Sequence, residues 1–109
     1  MKIENVPFTL TDWNKIQTQV INGESGFAES KVIEQGNIRA RLINYSSNYK
    51  ADHWCLKGHI AFVIEGEFTI EIENGRKFEF TKGMSFQVAD DIDAHKAYTK
   101  NGATVFIVD

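Results

Sequence analysis

The segment EFTIEIENGRKFEF, residues 67 to 80, limits the possible folds more than any other part of the chain. Phe68, Ile70 and Ile72 alternate with Glu67, Thr69, Glu71 and Glu73, the dipeptide Asn74-Gly75 follows, and Phe78 and Phe80 resume the apolar series. Alternation with a period of two around Asn-Gly predicts an antiparallel hairpin with one buried face and one solvated face carrying the glutamates. A lone hairpin is not stable in water, so further strands must cover the apolar side. The rest of the chain supplies them. FAESKVIEQGN reads as a strand ending at Gly36-Asn37, and MSFQV alternates through Met84, Phe86 and Val88. HKAYT and ATVFIVD are separated by Asn101-Gly102. In IRARLINY, Ile38, Ala40 and Leu42 share one face, and Arg39 and Arg41 the other, read as solvated. The start of the chain differs: Val6 precedes the only proline and reads as an extended arm or edge strand, and Thr11 or Asp12 caps a single helical turn. Roughly nine or ten short strands with frequent turn signals predict an all-β antiparallel sandwich or barrel.

The 109 residues correspond to a single domain, spanning 1–109, with residues 1–16 as an N-terminal arm. Apolar residues at 42% and charged residues at 25% are ordinary for a folded globular chain. No apolar run approaches the roughly 18 residues of a membrane span, and MKIENVPF lacks the apolar core of a signal peptide, so a cytoplasmic location and no membrane partner are expected. A single cysteine, Cys55, cannot form an internal disulfide. A net charge of -3 with scattered lysine and arginine gives no basic footprint for nucleic acid, so the expected partner is a small molecule.

The stretch DHWCLKGHIAFVIEG, residues 52 to 66, holds two of the three histidines and the only cysteine. On an extended segment His53 and Cys55 project from the same face, Lys57-Gly58 turns the chain, and His59 opens the buried strand HIAFVI. A strand, a turn and a strand return His59 beside the first pair. Imidazole and thiolate are donors that first-row transition metals prefer, so the three groups form a partial coordination sphere.

These residues resemble the cupin superfamily. Its first motif reads Gly, five residues, His-x-His, three or four residues, Glu, six residues, Gly. Here His53, Cys55, His59 and Gly66 fall on the last four of those positions, and Ser47 on the opening glycine. The second motif is matched by Gly83 and, one residue late, by His95, while Ala89, Asp91 and Thr99 replace its proline, glycine and asparagine. Asp52-His53-Trp54-Cys55 also resembles the signature of a small bacterial subfamily labelled by a DHCW motif, with Trp and Cys in the opposite order. The resemblance covers residues 38 to 108. It implies a jelly-roll, conical β-barrel of two antiparallel sheets holding one divalent transition metal on His53, Cys55, His59 and His95.

A thiolate at Cys55 moves such a site toward zinc, copper or a thiolate-bound iron or nickel, whereas a neutral thiol leaves a three-histidine site similar to that of the cupin thiol dioxygenases; manganese belongs to the usual cupin set. Replacing the family's glutamate by His59 makes the site more positive and favours an anionic substrate. Asp52 is placed to orient a ligand imidazole, or else is a polar loop residue. Trp54 packs in the core, against a partner or on a ligand. Gln87, Tyr98 and Tyr45 are the lumen candidates for proton transfer. Cupins often dimerise, and the arm through Phe8 and Trp13 is the segment expected to cross to a second copy. Two functions follow from the resemblance: a metal-dependent enzyme of dioxygenase or Lewis-acid type acting on a small molecule, or a non-catalytic module that binds metal or ligand.

Overall fold

In the computed structural model, which describes residues 1–109, a single 3-10 turn at Trp13–Lys15 precedes nine strands. These are β1 (Gln19–Asn22), β2 (Phe27–Gln35), β3 (Ile38–Tyr45), β4 (Tyr49–Lys50), β5 (His59–Ile72), β6 (Lys77–Thr81), β7 (Ser85–Val88), β8 (His95–Thr99) and β9 (Ala103–Val108). The Asp12 side chain accepts from the Asn14 amide at 3.1 Å and starts the turn, as its capping chemistry predicts.

The long strand β5 joins two antiparallel sheets. Its first half pairs with β9 and β7, and its second half with β6 and β8. One sheet therefore runs β1-β2-β3-β9-β5-β7 and the other β4-β8-β5-β6. The sequence suggests two strands meeting at Gly66, whereas the chain passes through as one bent strand. The register slips between Val63 and Glu65, and Gly66 takes φ +81°. A Cβ at Gly66 would stand 2.2 Å from the Gly102 carbonyl oxygen, so no larger residue fits the crossing.

At the predicted hairpin, β5 and β6 pair in register from Phe68 opposite Phe80 to Glu71 opposite Lys77. The turn is a three-residue loop rather than a two-residue one. The Gly75 amide donates to the Ile72 carbonyl at 2.8 Å and the Ile72 amide to the Arg76 carbonyl at 2.8 Å, with Gly75 at φ +96° absorbing the left-handed step.

The curled sheets enclose one core, in which Ala61, Val63 and Phe68 of β5 meet Ile43 of β3 and Val105 and Ile107 of β9. Each such large side chain contributes about 1.5–3 kcal/mol on burial. Glu67 is not part of a solvated face: its Oε1 accepts from the Lys100 and Asn101 amides at 3.0 and 2.9 Å and from the Thr99 hydroxyl at 3.0 Å, closing the β8–β9 turn. Glu67→Ala is expected to lower stability by about 1–2 kcal/mol in urea denaturation, against less than about 0.5 kcal/mol for the exposed Glu73→Ala.

Trp13 packs edge-on against Phe106 of β9, with ring centroids 5.6 Å apart, while Phe8 is fully exposed. No helix is long and apolar enough to cross a membrane.

Candidate functional site

His59 opens β5 and His95 opens β8, and both side chains turn into the space between the sheets, with residue exposures of 9% and 4%. The rings meet edge to face, and their Nε2 atoms stand 3.1 Å apart. Cys55 is fixed beside them by backbone pairing. Its amide donates to the His95 carbonyl at 2.8 Å and the His95 amide donates to the Cys55 carbonyl at 3.0 Å, so the two side chains leave the same face of an antiparallel bridge.

The partners of the two rings define their protons. His95 Nδ1 lies 3.1 Å from the Asp93 carbonyl, which only accepts, so this nitrogen carries the hydrogen and Nε2 presents a lone pair. His59 Nδ1 is buried, has no hydrogen-bond partner, and faces an Asp109 carboxylate oxygen at 3.6 Å. A neutral His59 with its proton on Nε2 bonds to His95 but turns a bare Nδ1 toward the carboxylate. With the proton on Nδ1 the carboxylate is served, and two Nε2 lone pairs oppose each other at 3.1 Å. Each neutral arrangement sets one pair of acceptors face to face. A cation between the Nε2 atoms removes both conflicts, and 3.1 Å is about the separation of two cis donors each ~2.1 Å from a common ion.

A shared proton is the poorer cation here. Burial first, then His95 and Arg41, pull the His59 pKa down to about 4 from its ordinary 6.5. A base held neutral in the folded state loses stability whenever the unfolded chain takes the proton it refuses. The contribution is complete above pH 6.5 and disappears as pH falls toward about 4. Metal-free protein is expected to lose about 2 kcal/mol over that window, read from urea midpoints, and His59→Gln is expected to flatten the slope.

Arg39 and Arg41 do not form a solvated face. Asp109, its side chain 2% exposed, takes Arg39 Nε and Nη2 at 2.9 and 3.1 Å and Arg41 Nη2 at 3.1 Å, which draws both guanidiniums inward. Residues 39, 41, 43 and 45 thus share the inner side of β3, while Leu42 on the outer side lies opposite Phe106. Burial alone would raise the Asp109 pKa, but the Arg39 hydrogen bond and the charges of Arg41 and Arg39 hold it below the ordinary value.

A cavity of about 200 Å³ lies between the sheets, and all four expected donors, His53, Cys55, His59 and His95, line it together with Arg41 and Tyr45. Burial raises the Tyr45 hydroxyl pKa, so it enters the cavity as a neutral phenol. The four donors do not converge equally: no group of three or more His, Cys, Asp or Glu side chains is placed to hold a metal ion. The side chain of His53 is 77% exposed and its Nδ1 lies 2.6 Å from Asp52, so Asp52 orients this ring and neither of the buried ones. Residues 52 to 54 form a loop rather than a strand. Trp54 is exposed on it, with the Lys96 ammonium 4.8 Å from its ring centroid. Gln87 is exposed opposite the exposed Ile60, on the outer side of the sheet. Tyr98 lies over a separate polar hollow of about 630 Å³ lined also by Lys50 and Glu71. Sequence reasoning missed Asp93 and Asp109; the aspartate after ATVFIV was the one available signal for the second.

No protein-family model matches the chain, and no curated protein is similar to it in sequence. Solved structures resemble it in fold. An RmlC-like cupin from Shewanella frigidimarina superposes with a TM-score of 0.77 at 18% identity, over 94% of this chain and 89% of that one. The polyketide cyclase RemF from Streptomyces resistomycificus gives 0.75 at 12% identity, over 94% and 78%. Ectoine synthase from P. lautus gives 0.72 at 15% identity, over 93% and 76%. The chain therefore has the cupin fold, an all-β jelly roll of two antiparallel sheets.

Proposed function

We propose that the chain is a small-molecule cupin of the DHCW type that binds one divalent transition metal in the cavity between its sheets. His59 and His95 are the inner ligands, and Cys55 and His53 supply the remaining donors. The carrying observation is the orientation of the two imidazoles, Nε2 toward Nε2 at 3.1 Å, with the Asp93 carbonyl and Asp109 carboxylate on their Nδ1 sides. Metal-bound imidazoles commonly donate their second nitrogen to a carbonyl or a carboxylate. The metal, when bound, supplies a Lewis acid open to an exogenous ligand. The chain's own groups then act around it: the apolar wall of Phe68, Ile70 and Phe86 excludes water, and Tyr45 offers a hydrogen bond from its neutral phenol. His53, 77% exposed on the 52–54 loop, would have to turn inward to join them.

Cobalt(II) titration of chelator-stripped protein tests the ligand set. The expected spectrum contains an intense near-ultraviolet thiolate band that disappears in Cys55→Ser. A cobalt spectrum unchanged by that substitution removes Cys55 from the ligands and favours the three histidines. The cavity has no aspartate or glutamate to serve as a general base, and this observation favours the second reading, a binding module without turnover. Oxygen uptake with small anions on metal-loaded protein separates the two.

The same proposal includes a cytoplasmic homodimer. Ile60 and Phe62 of β5 are 49% and 46% exposed on the outer face of the larger sheet, where a second copy would cover them.

A further inference from the structure

The cavity lining holds cationic side chains and no carboxylate. Among the residues lining it there is no aspartate or glutamate, whereas Arg41 and Lys96 both line it. Behind Arg41 the only buried carboxylate is that of Asp109, and both of its oxygens are already occupied by Arg39. Two guanidiniums thus share one buried carboxylate, and since Arg39 also faces Glu34 across the β2–β3 pair, Arg41 is the less well matched of the two. Arg41 makes a single side-chain hydrogen bond, donated by its Nη2 to Asp109 Oδ2, and its Nε is buried without an acceptor. A buried donor without a partner is costly, and more so when it is charged.

Apart from the cations, the tyrosines and the candidate donors, the walls are apolar, formed by Ile43, Phe68, Ile70, Phe86 and Ile107. At about 200 Å³ it is smaller than the roughly 300–1,000 Å³ that takes drug-sized ligands. A multiply charged anion such as phosphate would leave some of its oxygens against hydrocarbon, which offers them no donor. A short monocarboxylate satisfies both parts, with its head on the guanidinium and its chain against the walls.

We infer that this cavity is the binding site of a small monocarboxylate with an apolar body, whose carboxylate is received by Arg41, with the Tyr45 hydroxyl as a neutral donor lining the same space. Asp109 and Arg39 act behind it by holding the Arg41 guanidinium in place. The inference rests on reading the cavity as a small-molecule site and does not require the metal. It names the ligand class that the metal proposal leaves open.

The test is titration of ¹⁵N-labelled protein, both as purified and chelator-stripped, with butyrate, its uncharged analogue butyramide and inorganic phosphate. Butyrate is expected to shift the Arg41 Nε–H resonance in both preparations, and butyramide and phosphate to leave it in place. Arg41→Gln is expected to weaken butyrate binding by about tenfold or more, from loss of a charge-assisted hydrogen bond. The unsubstituted protein's own resonance keeps the test valid if that variant folds poorly. Equal binding of butyrate and butyramide, or butyrate binding that leaves Arg41 undisturbed, overturns the inference. Butyrate binding to a chain that takes up no metal supports it while removing the metal proposal. Metal uptake without any butyrate binding removes this inference alone.

Discussion

Asp109→Asn is expected to destabilise the protein by about 3 kcal/mol, a shift of roughly 12 °C or more in the thermal midpoint for a domain of this size. Removing the charge of one carboxylate leaves two guanidiniums together, Arg41 with its side chain 18% exposed and Arg39 with 35%. An uncompensated buried charge costs about 3–5 kcal/mol, and the partial exposure of Arg39 places this case at the lower end. Glu24→Gln is the control. Its pair with Lys50 spans 3.5 Å between side chains 59% and 48% exposed, and such contacts contribute at most about 1 kcal/mol. Equal midpoints for the two variants in differential scanning calorimetry would show that the Asp109 cluster is screened by solvent and does not organise the site.

His95→Ala is expected to lower metal affinity at least a hundredfold, because it removes a ligand, whereas loss of a group merely supporting a ligand typically costs about 10–100-fold. Most of the stability that metal adds is lost with it. At about a thousand times the dissociation constant, metal stabilises the native state by about 4 kcal/mol, so the unsubstituted protein should gain that much on loading and His95→Ala at most about 1.4 kcal/mol. His59→Ala should behave in the same way, and Trp54→Ala, exposed on the 52–54 loop, should retain the gain. Calorimetric midpoints with and without zinc read all four proteins in one format. A metal-dependent gain that survives in both histidine variants would place the metal elsewhere.

Much of the fold was legible because alternation with a period of two marks half-buried strands wherever it occurs. The hairpin centred on Asn74-Gly75, the turns at Gly36-Asn37 and Asn101-Gly102 and the strands flanking them all lie where the pattern puts them. Two features were hidden for identifiable reasons. Periodicity is blind to a strand that changes sheets, so the slip between Val63 and Glu65 made β5 read as two strands divided at Gly66. In β3 both faces are buried in part, the outer one with Leu42 beside Phe106, on which Trp13 packs, and polarity alone assigned the arginines to solvent. What turns them inward is Asp109, whose place opposite Arg39 is a product of pairing between distant segments.

The candidate site was legible in the same uneven way. Motif spacing selected His59 and His95, which the sheets bring to 3.1 Å, and the bridge to His95 brings Cys55 alongside. His53 has the same motif warrant but lies on a loop that no strand pairing holds, with its ring exposed on Asp52. Spacing along a chain brings side chains together only where backbone hydrogen bonds fix both ends, and here they fix the segments of three of the four.

Elemental analysis of protein purified without chelator tests the central claim most directly. The account predicts about one equivalent of a divalent transition metal per chain in the unsubstituted protein, and a trace only in His59→Ala and His95→Ala purified in parallel. No transition metal in the unsubstituted protein, and none acquired on dialysis against iron(II), zinc, nickel, manganese or copper, would contradict it.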